Sequence, residues 1–242
     1  MITPPFAREL ELLSTAELGV VQQLVESSNV GFVVDLELPA TPDTATPEYA
    51  WAVYKPELGE QPLWDFPLGL YRRERAAFVL SEHLGWHLVP PTVIRHDGPA
   101  GVGSVQWFIH NNGEHYFPLY ETRPDLHEQF FTMAVFDLLC NNTDRKSGHV
   151  MLEGDHIWGI DHGLCFSAEP KLRTVIWDFA GVDIPDHLVE AVEPLLDEVP
   201  PELLELLHPV EIEALQRRAS RIVRLPYLPH PRSHRQFPWP LV

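Results

Sequence analysis

The stretch Asn141–Gly163 constrains this chain more than any other, because it sets two carboxylates, Asp144 and Asp161, on either side of a short apolar-turn-apolar run. Val150, Met151 and Leu152 read as a first strand, Glu153, Gly154 and Asp155 as the turn, and Ile157 to Ile160 as the return strand. A hairpin brings its two ends back together. Asp144, just before the first strand, and Asp161, directly after the second, are therefore expected to face one cavity. Phosphoryl transfer asks for this arrangement, with one carboxylate to orient an attacking hydroxyl and another to hold a metal on the phosphates. Asn-Asn-Thr-Asp and Asp-His-Gly are also ordinary turn sequences, so the reading needs support from elsewhere in the chain.

A chain of 242 residues is long enough for one large domain or two lobes. Lys+Arg 17 against Asp+Glu 35 gives a net charge of -18. Such a surface argues against nucleic acid and anionic membranes as partners, since both reward basic patches. Cys140 and Cys165 stand in no metal or redox spacing and fit buried thiols in a reducing cytoplasm. The first residues do not read as a signal peptide, and no apolar run approaches the roughly 18 residues of a membrane span.

Taken in order, Ser14 with Glu17 reads as a capping box opening a helix over residues 14–25, with Leu18, Val21, Leu24 and Val25 as its stripe. The small polar loop Ser27–Gly31, including Ser28 and Asn29, is either a plain turn or a loop whose N–H groups close over phosphates. Phe32–Leu38 and Ala50–Pro56 read as strands, with a Pro/Thr/Asp-rich loop between them. Lys55 ends the second of these strands. Leu70–Leu84 reads as a helix with Ala76, Ala77, Leu80 and Leu84 inward, ended by Gly85. Glu74 precedes Ala77 by one turn and also points inward, where it needs a cation; Lys55 is the candidate. Val89–Ile94 and Gly103–Ile109 read as further strands, with a boundary near residue 110. A helix over residues 124–140, with a proline in its first turn, delivers the chain into Asn141. Residues 164–175 read as an irregular segment that could shape an acceptor site. Residues 185–224 read as helices. Arg217, Arg218, Arg221 and Arg224 are expected on a solvated face, and residues 226–242 as an irregular tail.

With Val53-Tyr54-Lys55-Pro56, Glu74, Gly103–Phe108, Asn142-Thr143-Asp144-Arg145 and Gly159–Gly163 in this order, the chain resembles the phosphatidylinositol 3-/4-kinase-like superfamily. It is closest to the type II phosphatidylinositol 4-kinase branch and to HipA-type kinases, over roughly residues 27–166. It is also similar to a family of actinobacterial kinase-like proteins of unassigned substrate. The resemblance implies that Lys55 meets ATP phosphates and Glu74 holds it. It also implies that Gln106, Trp107 and Phe108 lead into an adenine-binding hinge. Asp144 would be the catalytic base, Lys146 a cation for the transferred phosphate, and Asp161 the Mg2+ ligand. His149 stands where such kinases carry an asparagine as second metal ligand, which brings Mn2+ into consideration. The cysteine cluster that anchors type II lipid kinases to membranes is missing.

The expected fold is therefore α+β and two-lobed. Residues 1–110 form a small antiparallel β lobe with a helix, and residues 111–242 a mainly helical lobe carrying the catalytic and metal motifs. The expected activity is ATP-dependent transfer to a hydroxyl of a protein or soluble small molecule in the cytoplasm. The alternative is a nucleotide-binding pseudokinase acting as a regulatory module. A further reading gathers His149, His156, Asp161 and His162 into a zinc site.

Overall fold

The computed structural model describes residues 5–24, 29–39 and 48–242. They fall into two compact units. One holds the described residues up to Arg75 together with Pro90–Phe108; the other holds Ala76–Val89 and Ile109–Val242.

The first unit is a helix on a five-stranded antiparallel sheet. The helix is α1 (Ala7–Thr15); the strands are β1 (Leu18–Gln23), β2 (Phe32–Glu37), β3 (Tyr49–Pro56), β4 (Thr92–Gly98) and β5 (Gly101–Trp107), in the order β1-β2-β3-β5-β4. Alternation sends Val34, Leu36, Ala52, Tyr54, Val93 and Val105 to one face, where Leu12 and Leu13 of α1 cover them. The end of α1 is held by the buried Arg95, whose Nη1 donates to the carbonyls of Leu13 at 3.1 Å and Ala16 at 2.9 Å. A cation on the last carbonyls of a helix satisfies orphan acceptors and opposes the negative dipole end. Strands β3 and β5 approach closely at Gly103, where an added Cβ would lie 2.4 Å from the Lys55 carbonyl oxygen.

The helix expected over residues 14–25 is not there. Residues 7–15 are helical and Leu18–Gln23 is an edge strand in register with β2, Leu18 opposite Leu36 and Gly19 opposite Asp35. A short apolar run fits either period, and here sheet pairing satisfies the backbone while Val20 and Val21 suit a strand. Ser14 is in the last turn of α1, its hydroxyl donating to the Leu10 carbonyl at 2.7 Å, so it caps nothing. Val25 lies outside the described residues.

Helix α2 (Leu70–His83) runs across the division between the units. In the second unit its later residues Ala76, Ala77 and Leu80, with Leu84, are buried, and Gly85 at φ +68° ends it. Then come α3 (Tyr116–Thr122), a 3-10 turn at Pro124–Leu126, and α4 (His127–Cys140). Buried residues on almost every side of α4, from Phe130 to Cys140, make it the central helix of this unit. Asn141, at φ 55°, turns the chain out of α4.

Strands β6 (Val150–Glu153) and β7 (His156–Gly159) form the hairpin, with Glu153 opposite His156. The turn is therefore Gly154-Asp155, one residue shorter than expected, with Gly154 at φ +63°. Helices α5 (Asp186–Val192), α6 (Pro201–Leu206) and α7 (Pro209–Arg224) follow. Arg218 on α7 is not on a solvated face: its Nε donates to the Leu139 carbonyl at 2.7 Å and its Nη1 to that of Ser167 at 3.3 Å. Burial pulls its pKa down to about 10. The tail is irregular yet bonded. The carbonyl of Gln236 accepts from the Thr174 N–H at 3.1 Å, and that of Leu241 from the Ser147 N–H at 2.7 Å. Cys140 and Cys165 are free, fully buried thiols with sulfurs 3.6 Å apart. Among the described residues no helix is long and apolar enough to cross a membrane.

Candidate active site

In the first unit, Lys55 near the end of β3 reaches α2, its Nζ 2.5 Å from Glu74 Oε1, with side chains 26% and 4% exposed. The inward glutamate thus has the cation that the sequence demanded. Asn29 accepts from the Gln61 N–H at 2.8 Å through Oδ1, tying its loop to the segment after β3. Ser28 lies outside the described residues. Gln106 is buried and donates through Nε2 to Thr92 Oγ1 at 2.9 Å. The N–H groups of Trp107 and Phe108 donate to the carbonyls of Pro91 and Trp51 at 2.8 and 3.1 Å. An adenine edge met at these two residues would have to use carbonyl oxygens rather than those donors.

In the second unit the hairpin performs the closure expected of it. Asp144, His149 and Asp161 each present one ligand atom, all within 4.8 Å of one another. His149 Nε2 lies 3.3 Å from Asp161 Oδ2. Its Nδ1 lies 2.9 Å from the Asp144 carbonyl oxygen, which can only accept. Nδ1 can donate to that carbonyl, which leaves Nε2 facing Asp161, the arrangement of a metal-ligating histidine with its far nitrogen held by a backbone carbonyl. Asp161 adopts φ 61°, unusual for a residue other than glycine. Lys146 Nζ is 3.3 Å from Asp144 Oδ2. Burial raises the Asp144 pKa from 3.8 to about 6; the Asp161 charge acts in the same sense, and Lys146 and Arg173 oppose it. Two carboxylate oxygens and one imidazole nitrogen around one point suit a divalent cation of the Mn2+ or Mg2+ kind.

The cluster is held from beneath by Arg145, Asp137, Asn142 and Thr174, to which the sequence alone assigns no role. Arg145, fully buried, ion-pairs with the equally buried Asp137 of α4 at 3.0 Å. Its Nη1 donates to the carbonyls of His149 at 3.1 Å and Ile160 at 3.0 Å, so one guanidinium ties both ends of the hairpin. Asp137 also accepts from Asn142 Nδ2 at 3.0 Å and Thr174 Oγ1 at 3.1 Å. Asn142 Oδ1 in turn accepts from the Asp144 N–H at 2.9 Å. The signal for this hub was a carboxylate, Asp137, set between Phe136 and Leu138 in an apolar helix, followed by an arginine next to the candidate base.

The zinc reading fails on the same hairpin. His156 pairs at the tip, with Nε2 2.8 Å from the His87 carbonyl, while His149 lies at the base. His162 is fully buried with Nε2 2.7 Å from Arg145 Nη2.

No family model matches the chain. Among solved structures it is similar to a Golgi casein kinase with Mn/ADP bound. The TM-score is 0.52 at 14% identity, over 90% of this chain and 74% of that one. It is also similar to hydra Fam20 with sugar, at TM-score 0.51 and 15% identity, over 89% and 87% of the two chains. These identities carry the fold alone: α+β and kinase-like, with an antiparallel sheet and helices. Protein Rv2133c of Mycobacterium tuberculosis (strain ATCC 25618 / H37Rv) is 38% identical over 271 residues, spanning 96% of this chain and 95% of that protein, and the chain belongs to its family.

Proposed function

We propose that the chain is an ATP-dependent phosphotransferase acting on a hydroxyl of a protein or soluble small molecule. The observation that carries the reading is the convergence of Asp144, His149 and Asp161 on one point, beneath which Arg145 and Asp137 fix the loop. The ion pair of Lys55 and Glu74 supports it independently, because it couples a strand-end lysine to a buried helix glutamate. Residues 1–110 then serve as the lobe that meets nucleotide phosphates, and residues 111–242 as the lobe of base and metal. The finer affiliation, with phosphatidylinositol 3-/4-kinase-like and HipA-like enzymes, rests on the motif order from Lys55 to Asp161.

In this mechanism Lys55, held by Glu74, offsets phosphate charge, and Asp144 takes the proton from the acceptor hydroxyl. Lys146, against Asp144, keeps that carboxylate ionised and offers a cation to the transferred group. Asp161 and His149 would hold a divalent ion, which when bound neutralises charge on the phosphates. The location we infer is the cytoplasm, from the two free thiols and the acidic surface.

A second reading, a nucleotide-binding pseudokinase with a regulatory role, is favoured by one observation, the imidazole of His149 where an amide is usual. Binding of ATP with Mg2+ or Mn2+, followed by ADP release in the presence of the chain, separates the two. Binding with turnover, including onto the chain itself, supports the enzyme. Binding without turnover supports the regulatory module, and absence of both overturns the assignment.

A further inference from the structure

Residues 173–175 run parallel to the loop that carries the base. The Arg173 N–H donates to the Asn142 carbonyl at 2.9 Å, the Arg145 N–H to that of Arg173 at 3.0 Å, and the Val175 N–H to that of Arg145 at 3.0 Å. Arg145 and Thr174 form the bridge pair, and both turn inward: Arg145 is fully buried, and Thr174 bonds Asp137 beneath the loop. Alternation along an extended chain then sends the flanking Asp144, Lys146 and Arg173 to the opposite, outward face. Lys146 is already 3.3 Å from Asp144. The Arg173 charge is near enough to act on the same carboxylate.

The segment is built rather than loose. The Thr174 N–H donates to the Gln236 carbonyl, the Thr174 hydroxyl to Asp137, and the Ile176 N–H to Thr174 Oγ1, each at 3.1 Å. On the other side of the loop the Ser147 N–H donates to the Leu241 carbonyl at 2.7 Å. Both cations therefore project from anchored backbone. Arg173 is itself exposed, and Lys171, two residues earlier, adds a further cation to the same segment. The chain as a whole carries -18. Its overall field repels anions, and an anion is favoured only where cations face it at short range. A guanidinium beside a general base is suited to a phosphate or carboxylate, which it binds in a fork of two N–H donors.

We propose that Arg173, with Lys146, forms an anion-reading site next to Asp144, so that the acceptor is a hydroxyl compound bearing a phosphate or carboxylate close to the hydroxyl that is phosphorylated. This rests on the phosphotransferase reading for the word acceptor, and on the anchored 173–175 segment for the site itself.

The probes are inorganic phosphate and acetate, titrated calorimetrically into the full chain saturated with Mg·ADP, so that the nucleotide phosphate site is filled. Phosphate is expected to bind the unmodified chain. Arg173→Gln should weaken it by about ten- to hundredfold, the loss of one charge-assisted contact. Arg173→Lys should recover part of that. An exposed side chain can be replaced without unfolding, and an unchanged melting temperature verifies this for each variant. Acetate binding with the same dependence on Arg173 assigns a carboxylate-bearing acceptor, and phosphate binding alone a phosphate-bearing one. Equal phosphate affinity in the Arg173→Gln variant, or no phosphate binding to the unmodified chain, overturns the anion site. If Mg·ADP fails to bind while phosphate binding still depends on Arg173, the phosphotransferase reading falls and the anion site stands. If Mg·ADP binds and phosphate does not, the reverse holds.

Discussion

Replacing His149 by asparagine tests whether the imidazole is a metal ligand or a loop strut. An octahedral ion with bonds of about 2.1 Å holds neighbouring ligand atoms about 3.0 Å apart. His149 Nε2 and Asp161 Oδ2 stand 3.3 Å apart, close to such an edge. The other ring nitrogen is committed to the Asp144 carbonyl at 2.9 Å. An asparagine amide ends where the ring's Nδ1 now lies. It can keep the bond to that carbonyl, but it falls short of the Nε2 position. His149→Asn thus preserves the loop contact and removes the ligand. Imidazole favours Mn2+ and later ions over Mg2+, which prefers oxygen. The expected outcome is a fall in Mn2+ affinity of about ten- to hundredfold, or about 1.4 to 2.7 kcal/mol, with a smaller change for Mg2+. The Mn2+/Mg2+ preference therefore moves toward Mg2+. His149→Gln, whose amide reaches the Nε2 position, should restore Mg2+ binding more than Mn2+ binding. Free Mn2+ followed by electron paramagnetic resonance in the presence of ADP, with Mg2+ as competitor, measures both affinities. Unchanged Mn2+ affinity and metal preference in both variants would refute the ligand role and leave His149 as a structural residue.

Lys55→Met should abolish phosphotransfer, and undiminished transfer in that variant contradicts the assignment. Asp144→Asn should bind nucleotide and lose transfer, whereas Asp161→Asn should weaken metal-dependent nucleotide binding itself, a contrast that a nucleotide titration of each variant decides. With its pKa raised to about 6, the Asp144 carboxyl of the metal-free chain should be seen by carbon-detected NMR to take up a proton near that pH, and as a base it fails below it. The sign for stability is opposite. The folded chain holds this proton more tightly than the unfolded one, so Asp144 destabilises the fold progressively as pH rises from 3.8 to about 6, and Asp144→Asn should melt higher than the parent chain at pH 7. Arg145→Met leaves Asp137 charged and buried; the expected loss is about 3–5 kcal/mol in urea unfolding, and a loss below about 1 kcal/mol would contradict the hub.

Where a residue's placement follows from local pattern, the sequence was enough. Alternation in β3 placed Lys55 near a strand end, the stripe Ala76-Ala77-Leu80 turned Glu74 inward, and the hairpin signal brought Asp144 and Asp161 to one place. The same local reading misplaced the first helix, because Leu18–Gln23 is a strand only by virtue of its pairing with β2. It could not separate His149 from His156 and His162 as ligands, since His156 is excluded by its place at the hairpin tip and His162 by its burial against Arg145. Nor could it see the Asp137–Arg145 hub or the Arg173 face. Asp137 meets Arg145 only eight residues on, across an irregular loop, and Thr174 from 37 residues on, and packing, not spacing, chooses which buried charge meets which. What the sequence determined alone is therefore the set of chemical groups and the local elements that carry them. The tertiary structure decided which groups meet, because burial forces each charge and each backbone donor to find a partner that no local rule names.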